Sequence, residues 1–234
     1  DVVKCLVENG AEVNAVDAFG ESALFWAACA GHVDVVKCLV ENGAEVNAVD
    51  ESCYTALSMA ASMGDVDVVK CLVENGAEVN AVDNSSYTAL GTAASAAHVG
   101  VVKCLVEIGA EVNAVDKSGC TALSMAADKG HVDVVKCLVE NGAEVNAVDK
   151  WGFTALDKAA SAGHVDVVKC LVENGAEVNG VPKSGCTALL RAARAGHVDV
   201  VKCLVENGAE VNAVDTCGFT ALHKAASAGH VDVV

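Results

Sequence analysis

The sequence predicts an all-α array of short helical repeats, because one segment returns along the chain at a constant spacing. This segment, DVVKCLVENGAEVNAV, is repeated every 33 residues with few or no changes. A fixed period of about 20 to 50 residues is typical of arrays in which small units stack on their neighbours. The copies begin at Asp1, Asp34, Asp67, Gly100, Asp133, Asp166 and Asp199.

The repeat boundaries follow from the Asp that closes each copy, which Pro182 replaces once. A unit of 33 residues cannot bury its own apolar face and must stack on the next one, so we predict one domain over residues 1–234. It contains partial repeats at 1–16 and 215–234 and six complete repeats at 17–49, 50–82, 83–115, 116–148, 149–181 and 182–214.

The first half of a repeat predicts a turn and a short helix. In the repeat 116–148, the residues at 116–119 have the Asp-x-x-Gly pattern of a type I turn. Thr121 is a helix N-cap residue, and the narrow apolar stripe at 122–127 predicts the first helix. Gly130 is placed to end that helix in the left-handed conformation.

The second half predicts a longer helix and a loop. Residues 132–140 carry a broad apolar face of Val, Cys and Leu, which predicts a buried second helix. Asn141 and Gly142 stop it, and residues 143–148 run extended towards the next turn. Each repeat is therefore predicted to be a helix, a turn, a helix and a loop.

The framework GHVDVVKCLVENGAEVNAVD, followed by Thr-Ala-Leu and Ala-Ala, resembles the ankyrin repeat over the whole chain. The family's Thr-Pro-Leu-His appears here as Thr-Ala-Leu-x, and only His223 in TALHKAA keeps the histidine. The resemblance implies an ankyrin-repeat solenoid with short hairpin-like fingers and a concave binding face. It also implies a structural hydrogen-bonding role for the histidine that separates the two helices in most repeats.

Comparing the repeats with one another separates a fixed framework from a few variable positions. All eight aromatic residues and all three methionines occupy variable positions. Aromatic and Arg side chains dominate the binding energy of protein interfaces, so we predict that the variable positions contact a protein partner. The predicted contact residues are Phe19, Phe25, Trp26, Glu51, Tyr54, Met59, Tyr87, Met125, Lys150, Trp151, Phe153, Lys158, Arg191, Arg194, Phe219 and Lys224.

Charge also differs between framework and variable positions. The net charge is −17, and most of it comes from framework Asp and Glu that keep the array solvated. Every basic residue outside the repeated lysine lies after residue 116, whereas the earlier variable positions hold Glu21 and Glu51. The predicted face is therefore aromatic and mildly acidic at one end and basic at the other. A nucleic-acid groove needs basic residues along its length, so we predict no nucleic-acid partner.

No catalytic, cofactor or metal site is predicted. The histidines and most cysteines recur in rows of like residues, whereas a catalytic site brings unlike residues together. Seven cysteines share one repeat position, where stacked helices about 8–10 Å apart are too distant for disulfides. We read them as small buried apolar side chains, which suits a reducing, cytoplasmic compartment. No apolar stretch is long enough to span a membrane, and no signal peptide opens the sequence.

The repeat 83–115 is predicted to be the least stable. It departs from the framework four times, at Ser86, Ala97, Gly100 and Ile108. Ala97 stands where the left-handed residue is expected, which costs roughly 1–2 kcal/mol for a residue with a Cβ.

Two functions remain open from the sequence. One is a protein-binding module, natural or engineered, and the near-verbatim copies favour an engineered ankyrin-type protein. A recently duplicated natural array would also look like this. The alternative is a structural or spacer array that self-associates end to end, because no atypical capping repeat closes either end of the sequence.

Overall fold

The computed structural model describes residues 2–183 and 185–233, and its helices follow the predicted repeat. The all-α fold with two helices in each complete repeat is confirmed. The helices are α1 (Val2–Glu8), α2 (Ala23–Cys29), α3 (Val33–Glu41), α4 (Ala56–Met63), α5 (Val66–Glu74), α6 (Ala89–Ser95), α7 (Val99–Glu107), α8 (Ala122–Lys129), α9 (Val132–Glu140), α10 (Ala155–Ala162), α11 (Val165–Glu173), α12 (Ala188–Ala195), α13 (Val198–Glu206) and α14 (Ala221–Ala228), followed by a 3-10 turn at Val231–Val233.

The first helices begin and end where the sequence predicts. Thr121 caps α8, and its hydroxyl accepts a hydrogen bond from the backbone N–H of Ser124 at 3.2 Å. Gly130 ends the same helix in the left-handed conformation, with φ of 78°. A Cβ at this position would lie 2.6 Å from the Nδ1 atom of His164 in the next repeat. Glycine is therefore favoured here both by the backbone and by the neighbouring ring.

The second helices are ended by an asparagine that bonds back onto the helix. In α3, the Asn42 Nδ2 atom donates to the carbonyl oxygen of Cys38 at 2.7 Å. The inward face of these helices is fully buried, as at Val68, Val69 and Leu72 of α5. Burying a Val or Leu side chain contributes about 1.5–3 kcal/mol, so this repeated face supplies much of the stabilising free energy.

The chain forms two compact units, residues 1–117 and 118–234, which we call the N-terminal and C-terminal units. In the N-terminal unit, the first helices α2, α4 and α6 pack side by side, and α3, α5 and α7 form a second row. In the C-terminal unit, α8, α10, α12 and α14 form one row and α9, α11 and α13 the other. The single domain over 1–234 stays a prediction.

The segments between repeats form short fingers held by a turn aspartate. The Asp50 Oδ1 atom accepts the backbone N–H groups of Ser52 and Tyr54 at 2.9 and 2.8 Å. In the N-terminal unit, isolated antiparallel bridges such as Val49 with Thr55 complete the hairpin-like finger. The loop asparagine connects neighbours, because the Asn47 Oδ1 atom accepts the N–H of Glu78 at 2.9 Å.

The histidine between the two helices also connects neighbouring repeats. The Nε2 atom of His98 lies 2.8 Å from the carbonyl oxygen of Ser62, and that of His197 lies 3.1 Å from Ser161 O. The structural role that the family resemblance implied is thus confirmed at these positions. Where Asp65 replaces the histidine, its carboxylate instead caps α5 by accepting the N–H of Val68.

Among residues 2–183 and 185–233, three residues other than glycine adopt the left-handed conformation, all in the N-terminal unit. They are Cys53, Ser86 and Ala97, with φ of 64°, 65° and 65°. The left-handed conformation predicted for Ala97 is confirmed, and each of the three stands where most repeats have glycine.

The repeated cysteine is buried in five of its seven copies. Cys38 is half-buried and Cys5 is exposed, so the burial predicted for all seven is wrong at these two positions. Cys5 lies on α1, which has no buried residue, because only α3 makes substantial contact with this helix.

Candidate protein-interaction surface

Six of the eight aromatic side chains are exposed: Phe19, Trp26, Tyr54, Tyr87, Trp151 and Phe219. The two tryptophans are the largest of them, with 53% of Trp26 and 56% of Trp151 accessible to solvent. Trp26 is the fourth residue of α2, and Trp151 lies in a finger, directly after Lys150.

Two of the predicted aromatic contact residues, Phe25 and Phe153, are not exposed. Phe25 is only 6% exposed, and its ring packs edge-on against Trp26 with centroids 6.2 Å apart. The equivalent residue is also buried at Ser124, Asp157 and Leu190, although it is half-buried at Ser58 and exposed at His223. Phe25 is therefore a buried residue that packs against Trp26, and it does not belong to the exposed surface. Phe153 is half-buried.

In the repeats of α2, α10 and α14, the fourth residue of the first helix reaches the turn aspartate of its own repeat. In α2, the indole N–H of Trp26 donates to the Oδ2 atom of Asp17 at 3.4 Å. In α10, the Lys158 ammonium lies 3.3 Å from the Asp149 carboxylate. In α14, Lys224 lies 2.6 Å from Asp215. The partner of the turn aspartate is thus a neutral indole N–H in the N-terminal unit and a lysine ammonium in the C-terminal unit.

These contacts shift the pKa values of Asp215 and of Lys158. The hydrogen bond from Lys224, together with the backbone N–H groups of Phe219 and Cys217, lowers the pKa of Asp215 to about 2. Burial lowers the pKa of Lys158, but its contacts with the Cys120 thiol, 2.9 Å from Nζ, and with Asp149 outweigh burial and raise it overall. Lys158 is therefore charged at neutral pH.

Arg191 has no turn aspartate in its own repeat, because Pro182 stands at that position. Its Nε atom instead lies 3.6 Å from the Asp157 carboxylate of the preceding repeat. Its guanidinium carbon lies 4.0 Å from the centre of the Phe153 ring, a cation–π arrangement. Burial raises the pKa of Asp157, while the Thr154 backbone and Arg191 oppose this shift.

These three ion pairs were not predicted from the sequence. Lys158, Arg191 and Lys224 were predicted to contact a partner, yet each side chain is at most 20% exposed and holds a carboxylate of its own chain. A signal was present in the sequence, because an acid and a base nine residues apart recur in the repeats that begin at Asp149 and Asp215.

The remaining predicted contact residues divide by exposure. Met59 and Met125 are half-buried. Glu51, Lys150 and Arg194 are exposed. The pKa of Tyr54 is raised by burial and by the nearby Asp83 carboxylate of the next repeat.

The described residues offer neither a grouped set of metal ligands nor a membrane-spanning helix. Among residues 2–183 and 185–233, no three His, Cys, Asp or Glu side chains are grouped so that they could hold a metal ion. Within the same residues, none of the helices has the length and apolar character that crossing a membrane requires.

Comparisons with known proteins identify the family. A family model described as ankyrin repeats (3 copies) matches residues 1–83, 90–182, 143–215 and 179–234. A similar solved structure is that of the human ASB11 ankyrin repeat domain, with 30% sequence identity and a TM-score of 0.82. The match covers 88% of this chain and 92% of that one. No curated protein sequence matches the chain. The matched residues and the helix pairs described above agree, and the chain belongs to the ankyrin-repeat family.

Proposed function

We propose that the chain is a non-catalytic protein-binding module whose contacts are made by exposed residues at variable positions. Ankyrin repeats are generally protein-interaction modules, which supports the class of function. The surface consists of Phe19, Trp26, Glu51, Tyr54, Tyr87, Lys150, Trp151, Arg194 and Phe219. We expect it to be the concave face of the array. The near-verbatim framework supports an engineered origin, and the twelve cysteines suit a reducing compartment.

The exposed aromatics carry this proposal. A folded chain gains nothing in stability from leaving a tryptophan half in solvent, whereas an interface gains large, rigid contact area from one. Trp26 and Trp151 are each more than half exposed, in a chain whose framework contains no aromatic residue. Residues of this type at the centre of an interface commonly contribute about 2 kcal/mol or more each.

The test is affinity capture of partners from a cell lysate, followed by mass spectrometry, with two variants. Trp26→Ala/Tyr54→Ala/Trp151→Ala removes three exposed aromatics and should weaken binding of the captured partner by a few kcal/mol. Val49→Ala/Val148→Ala/Val214→Ala removes three exposed framework side chains and serves as the matched control. Circular dichroism should show equal helix content in both.

Two outcomes would contradict the proposal. The first is equal partner binding by the aromatic variant and the control. The second is no captured partner combined with a mass in light scattering that rises with concentration. That result would favour the alternative, an array that self-associates through exposed apolar residues such as Leu6 of α1 and Leu222 of α14.

A further inference from the structure

The C-terminal unit carries opposite charges on two sets of elements. Its fingers and first helices, residues 118–130, 149–163, 182–196 and 215–229, hold seven basic and four acidic residues, a formal charge of +3. Its second helices and loops hold three basic and ten acidic residues, a formal charge of −7. The positive charge is therefore concentrated on the elements that also carry the variable positions.

Four of these seven basic residues are paired with carboxylates of the same chain. Lys158 and Arg191 face the buried carboxylates of Asp149 and Asp157, and Lys224 faces the half-buried Asp215, as described above. Lys129 lies 3.8 Å from its neighbour Asp128.

Three bases remain, Lys150, Lys183 and Arg194, and all are exposed. No carboxylate in the described part of the chain lies within 4 Å of their charged groups. They alone account for the charge of +3.

A hydrogen bond joins the two neighbouring fingers that carry Lys150 and Lys183. The Nζ atom of Lys183 donates to the carbonyl oxygen of Lys150 at 3.2 Å, so the Lys183 ammonium lies against the neighbouring finger that carries Lys150. The backbone N–H of Lys150 is itself bonded to Ser118 O at 2.9 Å, which fixes the finger. Trp151 follows Lys150 directly. We call Lys150, Trp151, Lys183 and Arg194 the basic surface.

We propose that the basic surface binds an acidic peptide segment of the protein partner, with an apolar side chain of that segment against Trp151. The inference rests on the proposed function and names the chemistry of the partner. Hydrogen bonds between ammonium or guanidinium groups and carboxylates are roughly twice as strong as neutral ones. An extended segment of ten residues spans about 33 Å, which allows several carboxylates to meet bases on different repeats.

A peptide fits this surface better than a nucleic acid does. Duplex DNA carries one charge per roughly 1.7 Å, and its binding relies on neutralising many phosphates at once. The basic surface offers only three bases that are not paired with a carboxylate, and the chain as a whole has a net charge of −17. A long polyanion would be repelled by the acidic second helices, whereas a short acidic segment meets the basic surface alone.

The experiment uses the full chain and a fluorescein-labelled peptide of five glutamates, two leucines and five glutamates, with binding followed by anisotropy. Lys150→Glu/Lys183→Glu/Arg194→Glu reverses the basic surface. Lys136→Glu/Lys169→Glu/Lys202→Glu makes the same charge change on exposed second-helix lysines and is the matched control. We expect the first variant to lose about tenfold or more in affinity and the control less than about threefold. Trp151→Ala should weaken binding without changing its salt dependence.

Each remaining outcome overturns the inference. Equal losses in the two triple variants would mean that overall charge alone attracts the peptide. Tighter binding of a twelve-nucleotide oligothymidine than of the peptide would indicate a nucleic-acid surface. No peptide binding at low salt also overturns it. If a lysate partner is still captured through Trp26 and Tyr54 in that case, the proposed function stands and only the acidic segment is wrong.

Discussion

The N-terminal and C-terminal units share one framework but complete it differently. In the N-terminal unit, Cys53, Ser86 and Ala97 hold the left-handed conformation that glycine adopts elsewhere. In the C-terminal unit, glycine stands at every equivalent position, from Gly119 to Gly229. The N-terminal unit therefore bears a backbone strain that the C-terminal unit avoids.

The units also differ in how they treat the turn aspartate. Asp17 receives an indole N–H from Trp26, whereas Asp149 and Asp215 face lysines. The pair with Trp26 leaves a large apolar ring exposed, whereas the pairs with lysine hold the cation against a carboxylate of the same chain. The formal charge follows the same division, at −13 with 18 acids and 5 bases in residues 1–117, and −4 with 14 acids and 10 bases in 118–234. Variable positions can thus change the surface of a unit without altering its helices.

Restoring glycine in the N-terminal unit should have the largest effect on stability. Cys53→Gly/Ser86→Gly/Ala97→Gly removes three left-handed residues that carry a Cβ, and each change should raise the free energy of unfolding by about 1 kcal/mol. Urea unfolding measures the total. Hydrogen exchange should show slower exchange at 83–115 after the change.

The matched control lies one residue away. Ala96 ends α6 with φ of −95°, an ordinary conformation, so Ala96→Gly should gain nothing and cost a few tenths of a kcal/mol. The converse change in the C-terminal unit, Gly130→Ala, introduces both the strained φ and the close approach to His164, and should destabilise the chain. A gain from Ala96→Gly equal to that from Ala97→Gly would refute the strain argument.

Removing a cation from the C-terminal unit should have the next largest effect. Lys158→Met retains the side-chain length and uses the residue that Met59 and Met125 supply at the same position. It leaves the Asp149 Oδ2 atom, whose side chain is 2% exposed, without a charge partner. We expect a loss of about 2 kcal/mol, below the range for fully buried pairs.

The control for this change is Lys169→Met. Its pairing with Asp166 is long, at 4.0 Å, and both side chains are largely exposed, so the loss should be near zero. Urea unfolding of both variants at pH 7 gives the comparison. Equal losses would show that burial of the Asp149 pair contributes nothing.

The fold was predictable from the sequence because its signals are local and repeated. Thr121 and Gly130 act within one helix, so cap and terminus can be predicted from neighbouring residues alone. The left-handed Ala97 was predictable in the same way, from its place in the period.

The surface was less predictable, because variation between repeats shows that a position is free to change but not where its side chain points. Phe25 varies like Trp26, yet one is buried and the other exposed. Arg191 depends on two distant facts, the proline at 182 and the Asp157 carboxylate one repeat earlier. Such contacts between repeats appear only once the helices are placed side by side.

The smallest expected effect is a difference in pH dependence between the two kinds of aspartate pair. Lys224 holds the pKa of Asp215 at about 2, below the ordinary 3.8. A lowered carboxyl pKa stabilises the folded chain above about pH 4, and this contribution is lost as the pH falls towards 2. Lys224→Met should therefore cost stability at pH 5 and progressively less towards pH 3.

The matched comparison is Trp26→Met in the N-terminal unit. The pKa of Asp17 is lowered chiefly by the backbone N–H groups of Phe19 and Glu21, and the indole contributes less than these. Removing that indole should therefore change stability by nearly the same amount at pH 5 and pH 3. Urea unfolding of both variants and the parent chain at the two pH values measures this. If the effect of Lys224→Met is equally independent of pH, the ammonium of Lys224 does not hold the Asp215 carboxylate in its charged form, and the two units do not differ electrostatically at this position.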